Sequence, residues 1–278
     1  MRYFKSLIFT FTLLLSLNTF AGSQQNSESK FAAEEVAKFA KSVEKYAAKQ
    51  GARAFIIARL GQPEKDLPRG FQFTHTAIAV YSQITLDNGN KAKGYAIYNL
   101  YQNADNPEKS ALMTDYPVDF FWGVESLKAG IIIPSPDLQL RLIEAIASGK
   151  NQALHNPNYS LISNPFNNQF QNCTEHTLNV INAAIYETDD MTRIKANTEA
   201  YFTPQPVKVS RFKLALGNWF AKGVSTEDHG RKIQTTSFTS IGRYLKEFGL
   251  MEEAVVYEGG EVKGLFYKVD FPRKKQKT

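Results

Sequence analysis

The chain is 278 residues long, 43% hydrophobic and 13% aromatic, with a formal charge of +6. That apolar content excludes a disordered chain, and the length suits one large domain or two small ones. A single cysteine, Cys173, excludes an intrachain disulfide, and a lone thiol is either well buried or kept for chemistry.

Met1-Arg2-Tyr3-Phe4-Lys5 is a short basic start, an apolar run follows from about Leu7 to Leu17, and Thr19-Phe20-Ala21 offers small residues at cleavage spacing. This order predicts a cleavable signal peptide over residues 1–21. The run is too short for a spanning helix, which needs about 20 residues, and no later segment is apolar enough to span. No Cys stands at the cleavage point, so no lipid anchor is expected. Residues 22–278 are expected to form a single exported domain, periplasmic or secreted, with a C-terminal extension from about residue 190 to residue 278. Loss of Arg2 and Lys5 with the signal lowers the formal charge from +6 to +4. Part of that excess sits in the tail Arg273-Lys274-Lys275-Gln276-Lys277, which is expected to be a solvated terminus. So diffuse a basic excess in an exported protein argues against nucleic acid as a partner.

After a polar lead-in at 22–29, the spacing of Val36, Phe39, Ala40, Val43, Tyr46 and Ala47 predicts a helix from Phe31 to about Lys49, with Ser29 as cap and Gly51 as stop. Ala54-Phe55-Ile56-Ile57-Ala58 is a short apolar run, expected to be a buried strand. Residues 61–70 carry two prolines and several charges and form a loop. Phe73 to Tyr81 alternates as a strand, with His75, Ala77, Ala79 and Tyr81 on one face and Thr76, Ile78 and Val80 on the other. Asn88-Gly89 signals a hairpin, which returns through Gly94 to Tyr101 with Tyr95, Ile97, Asn99 and Tyr101 on one face.

Residues 103–128 carry no clear pattern. Ile131-Ile132-Ile133 predicts another strand, and Ser135-Pro136 opens a helix that runs to about Ala147. Residues 151–172 are polar and rich in Asn, Pro and Gln, a length of irregular chain that is usually functional or disordered. Asn172 then caps a helix running to about Tyr186, with Glu175 at its third position in the manner of a capping box. Beyond it, a strand is expected near Val207 to Leu216, a helix near Ser237 to Phe248, and a hairpin turning at Gly259-Gly260. There is no internal repeat.

Cys173 falls in the first turn of its helix, where backbone N–H groups and the helix dipole favour a thiolate and can hold an oxyanion. It is a candidate nucleophile; the competing account is a small buried apolar residue. A thiol nucleophile needs a base within hydrogen-bond reach. His75 is the candidate, because the small Ala77 and Ala79 on its face would let the Cys173 helix pack closely. Asn99, on the paired strand, is the candidate to orient the imidazole, with Gln102 and Tyr98 as rivals should the register slip. His176, one turn after Cys173, is a second possible base or half of a metal pair, but no set of three or four ligands completes a metal site. His155 and His229 stand in polar surroundings and are expected at the surface. No Gly-x-Ser-x-Gly, phosphate-binding loop or dinucleotide fingerprint occurs.

Gly51-Ala-Arg-Ala-Phe-Ile-Ile-Ala-Arg59, Phe73-Thr-His75-Thr-Ala-Ile-Ala-Val80, Ile131-Ile-Ile-Pro-Ser-Pro-Asp-Leu138, Asn158-Tyr-Ser-Leu-Ile-Ser-Asn-Pro-Phe166 and Gln171-Asn-Cys-Thr-Glu175 recur in order in a known set. From about residue 51 to residue 190 the chain resembles the exported bacterial proteins catalogued as domain of unknown function 2145. The order of a histidine strand before a cysteine helix is similar to the circularly permuted branch of the NlpC-like, papain-fold hydrolases and acyltransferases. That resemblance implies Cys173 as nucleophile, His75 as general base and Asn99 as orienting residue.

The expected fold is α+β, a mostly antiparallel sheet with the Cys173 helix packed on the His75 strand. The expected function is a cysteine hydrolase, amidase- or peptidase-like, or an acyltransferase, that needs no cofactor. The compartment suggests cell-wall peptide or lipid acyl substrates, and Tyr95 and Tyr101 are candidates to line the cleft. Two alternatives stay open: an inactive binding domain on the same fold, and an envelope-assembly factor in which Cys173 is only core.

Overall fold

The computed structural model describes residues 28–85, 89–207 and 223–266. The signal peptide expected over residues 1–21, the basic tail, Asn88 of the Asn88-Gly89 turn and all but Val207 of the strand expected at 207–216 lie outside the described residues.

The apolar stripe of the first helix forms as its spacing predicts: α1 (Ala33–Lys49) buries Val36, Phe39, Ala40, Val43 and Ala47. Its cap is not Ser29, which is too far upstream and bonds Phe31; Ala32 takes the N-cap position, and its N–H donates to Glu35 Oε2 at 3.0 Å. Gly51 ends the helix at φ 71°, a left-handed conformation that glycine adopts without a Cβ clash.

Strands β1 (Ala54–Arg59), β2 (His75–Thr85), β3 (Lys91–Gln102), β4 (Ser110–Asp115) and β5 (Lys128–Pro134) follow, with α2 (Pro117–Trp122) between the last two. Both β4 and α2 fall in the stretch that the sequence left without a pattern. The second half of the chain supplies α3 (Pro136–Ala147), α4 (Lys150–Ala153), α5 (Cys173–Tyr186), α6 (Met191–Tyr201), a short pair β6 (Gln205–Pro206) and β7 (Gln234–Thr235), then α7 (Phe238–Glu247), β8 (Met251–Glu258) and β9 (Glu261–Gly264). The last hairpin turns at Gly259-Gly260, both at positive φ, as expected.

Seven strands form one antiparallel sheet in the order β4-β3-β2-β1-β5-β8-β9. The chain is therefore α+β with an antiparallel sheet. The central strands β1 and β5 are buried along their whole length, which is why they read as unbroken apolar runs and not as alternating ones. Side-chain parity then divides the interior. Ile56, Ile78, Val80 and Ile132 face α3, α5 and α7; Phe55, Ile57, Ala77, Ala79, Ile97 and Ile131 face α1 and α2.

This division corrects one expectation. The row of His75, Ala77 and Ala79 does receive a helix at close range, but that helix is α1, with α2 beside it. The Cys173 helix packs on the other face: Thr174 Oγ1 meets Thr76 Oγ1 at 3.5 Å, and Thr177 Oγ1 donates to the Thr76 carbonyl at 3.4 Å.

Gly130, inside β5, shows how tightly the α5 face is packed. A Cβ there would stand 2.5 Å from Phe238 Cε1 and 2.8 Å from Phe73 Cε2, two rings already locked edge-to-face at 5.1 Å. Gly130→Ala is expected to destabilise the fold by about 1–3 kcal/mol through overpacking. Urea unfolding would measure it, and an unchanged midpoint would mean that the two rings move aside freely.

Candidate functional site

At the start of β2 the chain places His75 opposite Arg59 of β1, and the ring of His75 stacks on Tyr101 of β3 with centroids 4.8 Å apart. His75 Nε2 lies 3.0 Å from Asn99 Oδ1. Asn99 Nδ2 donates to the Ile97 carbonyl at 3.0 Å and to Asp115 Oδ2 at 3.2 Å, and Tyr101 donates its hydroxyl to the same carboxylate oxygen at 2.5 Å. Arg59 closes the group: its Nη1 donates to the Phe120 carbonyl at 2.9 Å, and its guanidinium lies over the Tyr101 and Phe120 rings. All of these side chains are buried. Burial, and next the Arg59 charge, lower the His75 pKa to about 3, against the smaller opposing effect of the Asn99 bond. His75 is thus a neutral imidazole whose Nδ1 is buried and has no hydrogen-bond partner among the described residues.

Cys173 occupies the first position of α5, after the N-cap Asn172, whose Oδ1 accepts from the Glu175 N–H at 2.9 Å. The capping box is half made, because the Glu175 side chain turns away to Lys195. The sulfur is 3% exposed and lies 4.0 Å from the Thr74 carbonyl and 3.7 Å from Thr174 Oγ1. Burial pushes the Cys173 thiol up; the amides of Thr76 and Thr174, the Thr174 hydroxyl and the Arg59 charge act the other way without reversing it. The residue borders a cavity of about 110 Å³, walled by Phe73, Thr74, Asn172, Thr235, Thr236 and Ser237 among others. Drug-sized ligand pockets run to roughly 300–1,000 Å³, so this one admits a small group or the end of a longer molecule.

The structure therefore brings His75 and Asn99 together but leaves Cys173 outside their hydrogen-bonded group. The His75 ring points to the α1 face of the sheet, while Cys173 packs with Leu100 and Tyr159 on the α5 face. The two approach through the backbone of Thr74, where β2 begins. Tyr101 and Tyr95 do not line the cavity: Tyr101 stacks on His75, and Tyr95 packs edge-to-face on Phe55. Of the rivals to Asn99, Gln102 donates to the Pro107 carbonyl and Tyr98 packs against the α5 core.

The other histidines are more buried than their polar surroundings suggest. His176 Nε2 meets Asn151 Oδ1 at 2.9 Å, and burial lowers its pKa to about 3. His155 is partly buried against Ser110 Oγ at 3.1 Å, and the His229 side chain is buried between Asp228 and the Ile162 carbonyl. Neither is fully exposed: His155, itself part of the Asn-rich segment, turns in against Ser110 of β4, and the His229 side chain is covered by that segment at Ile162. No group of three or more His, Cys, Asp or Glu side chains placed to hold a metal occurs among the described residues.

That segment, residues 151–172, is ordered by side chains standing in for a backbone ladder. Gln171 takes the Asn156 N–H and donates to the Leu154 carbonyl; Asn164 and Asn167 both donate to the Asp228 carbonyl; Asn172 Nδ2 reaches the Leu161 carbonyl at 2.9 Å. A buried ion pair ties it to the helices: Lys195 of α6 lies 2.5 Å from Glu175 Oε1 and also donates to the Pro165 carbonyl and to Asn179 Oδ1. Arg59, Asp115 and Lys195 are the polar residues that sequence reasoning missed. Arg59 carried a signal, a lone charge ending an apolar strand; Asp115 and Lys195 sit in stretches without legible period.

The chain belongs to the bacterial family described as "Uncharacterized protein conserved in bacteria (DUF2145)", whose model matches residues 46–245 and so covers the sheet core, α5 and the whole polar group around His75. No curated protein and no solved structure matches the chain.

Proposed function

We propose that the chain is a cysteine-nucleophile hydrolase or acyltransferase acting through Cys173, on a fold similar to the permuted NlpC-like papain branch. The observation that carries the reading is the placement of Cys173 at the first turn of α5, against a cavity whose mostly apolar wall, with Leu67, Phe71, Phe73 and Leu161, also carries Thr74, Asn172, Thr235 and Ser237. In the proposed reaction the Cys173 sulfur forms a bond to an amide or ester carbonyl carbon as its proton passes to His75. Backbone N–H groups of Cys173 and Thr174 hold the oxyanion. The C–N or C–O bond then breaks, the leaving group takes the proton from His75, and a thioester remains. Water or another acceptor resolves it and restores the thiol. A raised thiol and a lowered imidazole are both neutral at pH 7, so the resting pair is thiol and imidazole and not thiolate and imidazolium. Export, read from residues 1–21, points to cell-wall peptide or lipid acyl substrates. No helix among the described residues is long and apolar enough to cross a membrane.

One observation favours a second reading. The sulfur and the His75 ring face opposite sides of the sheet, which suits a non-catalytic domain that binds a ligand in the Cys173 cavity. Iodoacetamide alkylation of Cys173 against pH, in the wild type and in His75→Ala, separates the two. The enzyme reading expects a rate-pH profile that shifts when His75 is removed, as the thiol loses its base. A slow thiol with an ordinary or raised pKa, indifferent to His75, leaves the binding domain.

A further inference from the structure

The buried group behind His75 has a direction built into it. The Ile97 carbonyl can only accept, and Asp115 Oδ2 already accepts from the Tyr101 hydroxyl. Asn99 therefore has to present its NH₂ to that pair and its Oδ1 to His75. An oxygen facing Nε2 at 3.0 Å requires that Nε2 carry the proton. We propose that Asp115 is a positioning residue: acting through Asn99, it holds His75 as the Nε2–H tautomer and leaves Nδ1 as the bare acceptor. Tyr101 contributes in two ways, through its hydroxyl to Asp115 and through its ring stacked flat on the imidazole at an interplanar angle of 3°. The stack and the amide together fix both the plane of the ring and the nitrogen that is left open.

An unpartnered buried nitrogen is costly, and a neutral histidine with the choice would place its proton to avoid that. Nδ1 is kept open because every alternative breaks more. With the proton on Nδ1, Nε2 would face Asn99 Oδ1 lone pair to lone pair. Flipping Asn99 to cure that would set its oxygen against both the Ile97 carbonyl and the Asp115 carboxylate. The bearing of this device on catalysis rests on His75 being the base of the proposed reaction; the tautomer itself follows from the hydrogen bonds alone.

The test is ¹⁵N NMR of the histidine ring nitrogens at pH 7 on the whole exported domain, with His75 assigned by its absence in His75→Gln. Wild type is expected to show one tautomer, protonated at Nε2. Asp115→Ala removes the charged one of the two acceptors that orient Asn99, leaving the Ile97 carbonyl, and is expected to populate both tautomers. Asp115→Asn keeps an acceptor oxygen and is expected to restore the single Nε2–H form. A wild-type His75 protonated at Nδ1, or a folded Asp115→Ala with an unchanged single tautomer, overturns the proposal. The wild-type spectrum decides the first point even where Asp115→Ala does not fold. Alkylation of Cys173 answers separately whether the base is used: an Nε2–H tautomer beside a thiol indifferent to His75 keeps the positioning device and removes the enzyme.

Discussion

Replacing Lys195 by Met is expected to cost the fold about 3–5 kcal/mol at pH 8, since it strands a carboxylate in the interior. Glu175 is fully buried, and Lys195 is its ion-pair partner at 2.5 Å. The second carboxylate oxygen, Oε2, makes no well-formed hydrogen bond among the described residues, so once the ammonium is gone the neighbouring Ser163 side chain is the main group left to favour the charge. Burial already raises the Glu175 pKa, with Lys195 the largest opposing influence. Without Lys195 the folded-state pKa rises further. A carboxyl whose folded pKa lies above its unfolded value contributes stability that is present at low pH and is lost as pH rises through the folded pKa. The penalty in Lys195→Met is therefore expected to shrink on going from pH 8 to pH 5, as Glu175 protonates. Adding Glu175→Gln removes the stranded charge and is expected to recover most of the loss, giving a strongly non-additive double-mutant cycle. Urea unfolding of the three variants measures this, and additive single losses would mean that the pair is not coupled in solution. The consequence reaches the site, because Lys195 also holds the Pro165 carbonyl and Glu175 sits two residues after Cys173.

The strands and helices that line the site were largely legible, because each had a strong period or a strong punctuation. The alternation gave the correct faces from His75 to Tyr81, though β2 runs on to Thr85, and the Asn-Gly turn gave its pairing with β3. From parity and pairing alone Asn99 falls beside His75, and the structure places it there at 3.0 Å. What parity could not supply was the side of the sheet on which each helix lands. Ala77 and Ala79 correctly announced close packing, yet two helices were available, and the choice of α1 over α5 is made by long-range complementarity: the aromatic face of α1 and α2, Phe39, Phe120 and Phe121, against the small row. A one-face difference that is invisible locally decides whether Cys173 and His75 touch. The Asn-rich segment failed for a different cause. Its order comes from side chain to backbone bonds between residues far apart, such as Asn164 to Asp228, and these leave no periodic trace. His155 and His229 were misjudged with it, since their burial comes from contacts between that segment and distant parts of the chain, His155 with Ser110 and the Ile162 carbonyl with His229.

The two fully buried histidines make the second large prediction. His75 and His176 are each lowered to about 3, in both cases chiefly by burial, with Arg59 the next influence at His75 and His155 at His176. In the unfolded chain each titrates near 6.5. Between those values the unfolded state binds a proton that the folded state refuses, so the stability each contributes is complete above about pH 6.5 and declines as pH falls toward 3. The slope is about 1.4 kcal/mol per pH unit for each histidine, or about 3 kcal/mol per histidine by pH 4.5. Glu175 and Asp228, both raised by burial, have the opposite sign, so acid favours the folded form at those two sites. The raw stability profile is a sum of the two kinds, and the histidine part is isolated by difference. In His176→Gln, where the amide can still meet Asn151, the stability gap to wild type is expected to narrow by about 1.4 kcal/mol for each pH unit between 6.5 and 4.5. Parallel profiles over that range would show His176 protonated in the fold, and hence reached by water. His75→Gln is expected to behave in the same way, and there the result bears on chemistry. An imidazole that stays neutral far below pH 6.5 can accept a proton at any physiological pH, but its weak basicity means that in the proposed reaction it would take one from Cys173 only once attack on a carbonyl had begun to drain charge from the sulfur.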